Sequence, residues 1–217
     1  MTNEEQEQLA SQLRKPKGNV GLEVAEFMNK GNELLNRNTI KQIKSTGQLH
    51  IVELGMGNGR FVDQLFEQNP AITYSGCDYS WDMVHTAEDI NQKKVTNGQV
   101  QFHHCDASQL PFQSNSVDVI FTVNTLYFWA DVVTVLQEFK RVLKKGGQLL
   151  IGIRPKHLME HYPFVKFGFS LFTADDVKDA LNNQGFQTIS ALTTKESDFV
   201  TDEITFPLES LVVGGFK

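Results

Sequence analysis

The chain has 217 residues, of which 40% are hydrophobic, and its 26 acidic residues against 20 basic ones leave a net charge of -6. A protein that grips a phosphate backbone presents a basic face, so this balance argues against a nucleic-acid partner. No apolar run reaches the ~20 residues that span a bilayer, the polar, acidic start is unlike a secretory leader, and two cysteines make neither a disulfide framework nor a Cys-rich metal site.

In chain order, residues 1–18 are polar and read as an arm or frayed helix, while residues 20–35 carry apolar positions at near-helical spacing, with Gly31 a candidate break. Ile51 to Leu54 form a short buried strand; Gly55, Gly57 and Gly59 follow at alternate positions, and Phe61-Val62 with Leu65-Phe66 open a helix. A second strand closes on Gly76-Cys77-Asp78, and Ser80 caps a helix with Met83, Ala87 and Ile90 on one face. Val100 to Cys105 make a third strand ending at Asp106, and residues 116–124 a fourth. Asp131 starts a helix with Val132, Val135, Leu136, Phe139, Val142 and Leu143 inward, and Lys144-Lys145-Gly146-Gly147 lead into a fifth strand at 148–153. Thr173 and Asp176 form a variant capping box before inward Val177, Ala180 and Leu181, and Gly185 stops that helix. Residues 186–192 and 210–215 are the last two strands. The alternation predicts an α/β doubly wound, mostly parallel sheet over residues 49–217, with residues 1–48 as an N-terminal helical cap.

The glycine spacing distinguishes between cofactors. A dinucleotide fingerprint, G-x-G-x-x-G, needs a small residue where this chain has Arg60, and the third glycine falls one place early. The run is instead E-x-G-x-G-x-G, from Glu53 to Gly59, with Asp78 closing the next strand about twenty residues on, where a carboxylate can accept from both hydroxyls of a ribose. This pattern resembles motif I and the acidic ribose loop of class I S-adenosylmethionine (SAM)-dependent methyltransferases. The likeness continues through Asp106-Ala107, Val117-Asp118 and Lys144-Lys145-Gly146-Gly147, covering residues 49–153.

The resemblance implies a seven-stranded sheet with the last strand reversed, and SAM as cofactor. It implies a cofactor site at Glu53, Gly55, Gly57, Gly59, Asp78, Tyr79, Met83, Asp106, Ala107 and Asn124: glycines beside the methionine portion, Asp78 on the ribose, Tyr79 on the adenine, Asp106 with Ala107 on the adenine amino group, and Asn124 toward the amino-acid end. An N/D-P-P-Y/F motif is missing after strand four; the segment Asn124 to Trp129 is aromatic instead.

For the acceptor, that segment and a second aromatic cluster at 162–172 are expected to line an apolar pocket, with Tyr127, Trp129, Phe164 and Phe167 its candidates. His157 and His161 are the candidate general bases. No G-x-S-x-G motif occurs, so no nucleophile elbow is expected, and no metal is expected either. The expectation is a cytoplasmic enzyme that methylates a small, partly apolar or aromatic acceptor. A SAM-binding regulator without turnover stays open beside it, and a nicotinamide oxidoreductase is disfavoured by Arg60. No motif specifies the acceptor atom or an oligomeric state.

Overall fold

The computed structural model describes residues 1–44, 46–200 and 205–217. Helix α1 (Asn3–Arg14) begins at a complete capping box, the Thr2 hydroxyl accepting from the Glu5 amide and the Glu5 carboxylate from the Thr2 amide, so the expected frayed arm is a formed helix. Helix α2 (Gly18–Ile40) runs unbroken through Gly31. A mid-helix glycine costs about 1 kcal/mol, and here the Arg154 guanidinium donates to the Gly31 carbonyl at 2.7 Å, tying the helix down at that point.

Strands β1 (His50–Leu54), β2 (Thr73–Asp78), β3 (Val100–His104), β4 (Val117–Val123) and β5 (Leu143–Ile153) alternate with α3 (Val62–Gln68), α4 (Trp81–Ile90), α5 (Gln92–Thr96) and α6 (Val132–Val142). The expected caps form: the Ser80 hydroxyl accepts from the Met83 amide, and the Asp131 carboxylate from the Val133 amide. Ile90, expected inward, is 46% exposed, because α4 ends there and turns straight into α5. After β5 come α7 (Lys156–Met159), α8 (Ala174–Asn183) with its Thr173/Asp176 box, β6 (Gln187–Lys195), a short pair β7 (Phe199–Val200) and β8 (Thr205–Phe206), and β9 (Glu209–Phe216).

The seven-stranded sheet has the order β3-β2-β1-β4-β5-β9-β6. β1 to β5 pair in parallel, and β9 runs antiparallel to both β5 and β6, so six strands share one direction and the last is reversed, as expected. Chain order alone does not say that β9 slots between β5 and β6.

Side-chain alternation splits the core into two layers. Val52, Ile120, Leu149 and Val213 face α6 and α8 through Leu136, Phe139, Val177 and Leu181. Ile51, Phe121, Leu150 and Val212 face α2 and α3 through Leu35, Ile40, Val62 and Leu65. Each such side chain taken fully from water contributes about 1.5–3 kcal/mol. Among the described residues, no helix is long and apolar enough to cross a membrane.

One buried ion pair joins these parts. Arg154, just past β5, donates to Glu196 at 2.7 Å with side chains 7% and 1% exposed; Ser210 also donates to that Glu196 oxygen, and Asn38 of α2 donates to Ser210 at 3.1 Å. The network fastens α2 to the β6–β9 end of the sheet. Arg154→Met alone strands a buried carboxylate and should cost about 3–5 kcal/mol in urea unfolding, whereas the double change Arg154→Met/Glu196→Leu should recover most of that loss. Equal losses in the single and double variants would contradict this account.

Candidate functional site

A cavity of about 430 Å³ opens beyond the C-terminal ends of β1, β2 and β4, where doubly wound sheets bind ligands. Its floor is the turn after β1. Gly55 and Gly59 both have φ +68, and each meets a neighbour that excludes a Cβ: at Gly55 it would lie 2.2 Å from Thr125 Cγ2, at Gly59 2.9 Å from Ala87 Cβ of α4. Gly57 (φ +57) faces open space, and its amide donates to Asp78 Oδ2 at 3.0 Å.

Asp78 stands at the tip of β2, with Oδ1 accepting from the Ser80 amide at 2.7 Å. Burial pushes its carboxyl up to about 6, and the amides of Ser80 and Gly57 draw it partly back. A carboxylate has about four lone-pair directions, so two amides leave it acceptor capacity for a ligand. Beneath it, Glu53 is 4% exposed and accepts from the Tyr74 hydroxyl at 2.6 Å.

The far wall carries Asp106 and Ala107, with Asp106 Oδ1 also accepting from the Ser108 amide at 2.8 Å in a tight turn. Tyr79 lines the mouth at 52% exposure, with Lys15 Nζ 3.8 Å from its ring centre. Asn124, at φ +57, closes the β4 side, its amide group donating to Asn32 Oδ1 at 2.9 Å.

The roof is the N-terminal segment: Leu13, Arg14 and Pro16 from the α1–α2 junction, and Ala25, Met28, Asn29, Asn32 and Asn36 from one face of α2. It is seated by hydrogen bonds from Gly18 N to Asp82 Oδ2 (2.7 Å), from Asn58 to Glu26 (3.1 Å) and from Asn29 to Asn58 (3.2 Å), besides the Ser80 hydroxyl on the Pro16 carbonyl. The asparagines were legible as three carboxamides at spacings of three and four, but sequence reasoning weighed only the apolar positions of that helix.

The cavity therefore brings together Glu53, Gly55, Gly57, Asp78, Tyr79, Asp106, Ala107, Asn124 and Trp129. Several expected residues lie elsewhere, each for a packing reason. Gly59 turns toward α4, where Asn91 donates to its carbonyl at 3.1 Å, and Met83 is fully buried on the inner face of α4. Tyr127 is buried with its hydroxyl committed to the Arg154 carbonyl at 2.9 Å and to Asn124 at 3.1 Å. Phe164 packs 5.5 Å from Phe169 in the loop after β5, and Phe167 lies under Lys166. His161 is exposed and His157, 62% exposed, points at Glu209, so neither reaches the cavity as a base. Phe128, Trp129, Phe61 and Met28 supply the apolar lining instead. Among the described residues, no group of three or more His, Cys, Asp or Glu could hold a metal ion.

A family model described as a methyltransferase domain matches residues 52–151, the span from β1 through β5. The chain is 28% identical over 172 residues to the O-methyltransferase cnsE of Penicillium expansum, covering 76% of this chain and 62% of that protein. It is 30% identical over 185 residues to an uncharacterized protein of Methanocaldococcus jannaschii, covering 78% and 81%. A solved Haloferax volcanii complex of a putative methyltransferase with the Trm112 methyltransferase activator matches in fold at TM-score 0.76 and 18% identity, over 100% of this chain and 99% of that one. The chain spans about half the length of the first curated methyltransferases it matches. With this sheet order and this cavity, the chain has the class I SAM-dependent methyltransferase fold, and its residues 52–151 match the methyltransferase domain family.

Buried Glu53 makes stability depend on pH. Burial lifts its carboxyl from 4.5 to about 7, with the Tyr74 hydroxyl opposing and nearby Asp78 adding to the rise. The folded protein thus holds this proton more tightly than the unfolded chain. Its contribution is fully present below the unfolded value near 4.5 and is lost as pH climbs through about 7. Glu53→Gln stays neutral and can still accept from Tyr74, so it should gain about 2–3 kcal/mol over the parent at pH 8 and change little at pH 4, by urea unfolding at both. A loss at pH 8 would show that the charged form is the favoured one.

Proposed function

We propose that the protein transfers the methyl group of SAM to a small, partly apolar or aromatic acceptor in the cytoplasm. The observation that carries this reading is the pairing of the Gly57 turn with a carboxylate of spare acceptor capacity, at one end of a closed-over cavity, with aromatic rings at the other. SAM supplies an activated methyl on a sulfonium, which leaves the protein chiefly the work of alignment; well-ordered positioning is worth up to ~7–11 kcal/mol.

In this reading Asp78 accepts from the ribose hydroxyls. Tyr79 lies along the adenine, with Asp106 and Ala107 at its amino group. The turn at Gly55 and Gly57 runs beside the methionine portion, and Asn124 with the α2 asparagines receives its polar end. Phe128, Trp129 and Met28 would then flank the acceptor, and the α2 roof would keep water from the reacting atoms. No side chain is needed as a base for an acceptor that presents a lone pair of its own.

Asp78→Ala should weaken SAM binding by one to two orders of magnitude, since a charge-assisted hydrogen bond is worth roughly 1.5–3 kcal/mol. With the carboxyl at about 6, parent affinity should also fall as pH drops below that value and the acceptor oxygens gain a proton. Calorimetric titration reads both, and unaltered affinity in the variant would remove the assignment. Incubation with radiolabelled SAM and a fractionated small-metabolite extract should place label in an apolar or aromatic acceptor; tight binding with no transfer to any acceptor class would make the protein a regulator.

A further inference from the structure

The wall of the cavity holds both of the chain's cysteines. Cys77 on β2 pairs with His103 of β3, and Cys105 stands two residues beyond His103, so alternation turns both thiols to the same side of the sheet. They are neighbours: Cys105 packs against the buried cluster that holds Cys77, and each is the largest influence on the other's acidity. Cys77 is fully buried, whereas Cys105 is partly exposed. Their proximity separates their acidities. The adjoining Cys77 thiol draws the Cys105 thiol down, and the same interaction together with burial pushes the Cys77 thiol up. A more acidic, reachable sulfur beside a protonated, buried one is the arrangement of an attacking and a resolving thiol.

We propose that hydrogen peroxide converts Cys77 and Cys105 into a reversible disulfide that closes the cavity to SAM; the second half rests on the cofactor reading above. The Cys105 thiolate attacks one peroxide oxygen, forming an S–O bond as the O–O bond breaks, and the departing hydroxide takes up a proton as water. The Cys77 sulfur then attacks the sulfenic sulfur, forming the S–S bond. The S–O bond breaks, and the second hydroxide leaves as water with the Cys77 proton. Two thiols and one peroxide become one disulfide and two waters.

Closure follows from strand geometry. Diagonal neighbours across a ladder lie roughly 7–8 Å apart at Cα, while a disulfide holds its Cα atoms at about 4.4–6.8 Å. Bridging therefore pulls the end of β3 toward β2. Asp106 and Ala107 follow Cys105 directly, and the Cys105 amide donates to the Asp78 carbonyl at 3.1 Å, so the shift displaces both the far wall and the tip of β2.

The test compares the full chain before and after hydrogen peroxide. Expected are the loss of two hydrogen atoms from the intact mass, a tryptic product joining the Cys77 and Cys105 peptides, and a SAM dissociation constant raised at least about tenfold, all reversed by dithiothreitol. Cys77→Ala and Cys105→Ala, each measured against itself before and after peroxide, should show neither the mass loss nor a dithiothreitol-reversible change in affinity. Oxidation that stops at sulfenic or sulfinic acid without a joined peptide would overturn the disulfide, and a joined product that binds SAM as the reduced protein does would overturn the closure. Failure of the reduced protein to bind SAM would instead sink the cofactor reading and closure with it, while the mass and peptide readouts still decide the disulfide.

Discussion

The grip of the Asp78 carboxylate on the amides of Gly57 and Ser80 holds the site together. It ties the turn after β1 to the start of α4, two segments that parallel pairing brings side by side but does not itself fix. The turn can approach because glycines stand where a Cβ would strike Thr125 or α4. Desolvation of that carboxyl is the cost, and the backbone amides offset part of it. A half-buried carboxylate held by backbone donors is thus ready to accept further bonds without rearranging.

The roof obeys a different economy. Helix α2 buries Leu35 and Ile40 on the sheet, yet along the cavity it presents carboxamides, which bond to Asn58 and Asn124 across the gap. Near Gly31 the same helix is anchored by Arg154, itself held by Glu196. Apolar packing sets where the helix lies, and polar contacts set how it faces. Carboxamides both donate and accept, so the roof can exchange its contacts with the loops for contacts with a ligand at small cost.

The parallel half of the fold was legible because its signals are local: apolar runs of strand length, the Ser80 and Asp131 caps, and the Thr173/Asp176 box each act within a few residues. The place of β9 was not, since insertion between β5 and β6 depends on pairing between distant segments. At the site, Glu53, Asp78 and Asn124 were legible from strand ends, where backbone position dictates what a side chain can reach. Tyr127, Phe164 and Phe167 were misread because aromatic content says nothing of direction, and a tyrosine beside a cavity can spend its hydroxyl on the core. His157 and His161 failed for the same reason: nearness in sequence to a strand end does not survive a helical turn and a loop.

The reversed strand has a bearing on how the molecule is made. Residues 187–195 and 143–153 leave the ribosome with facing edges and nothing between them, because the segment that joins them is synthesised after both. Until it arrives, the unpaired backbone edges of both strands stand open to any stray extended chain. Self-association of nascent material should therefore be concentrated at this end of the sheet, far from the glycine turn.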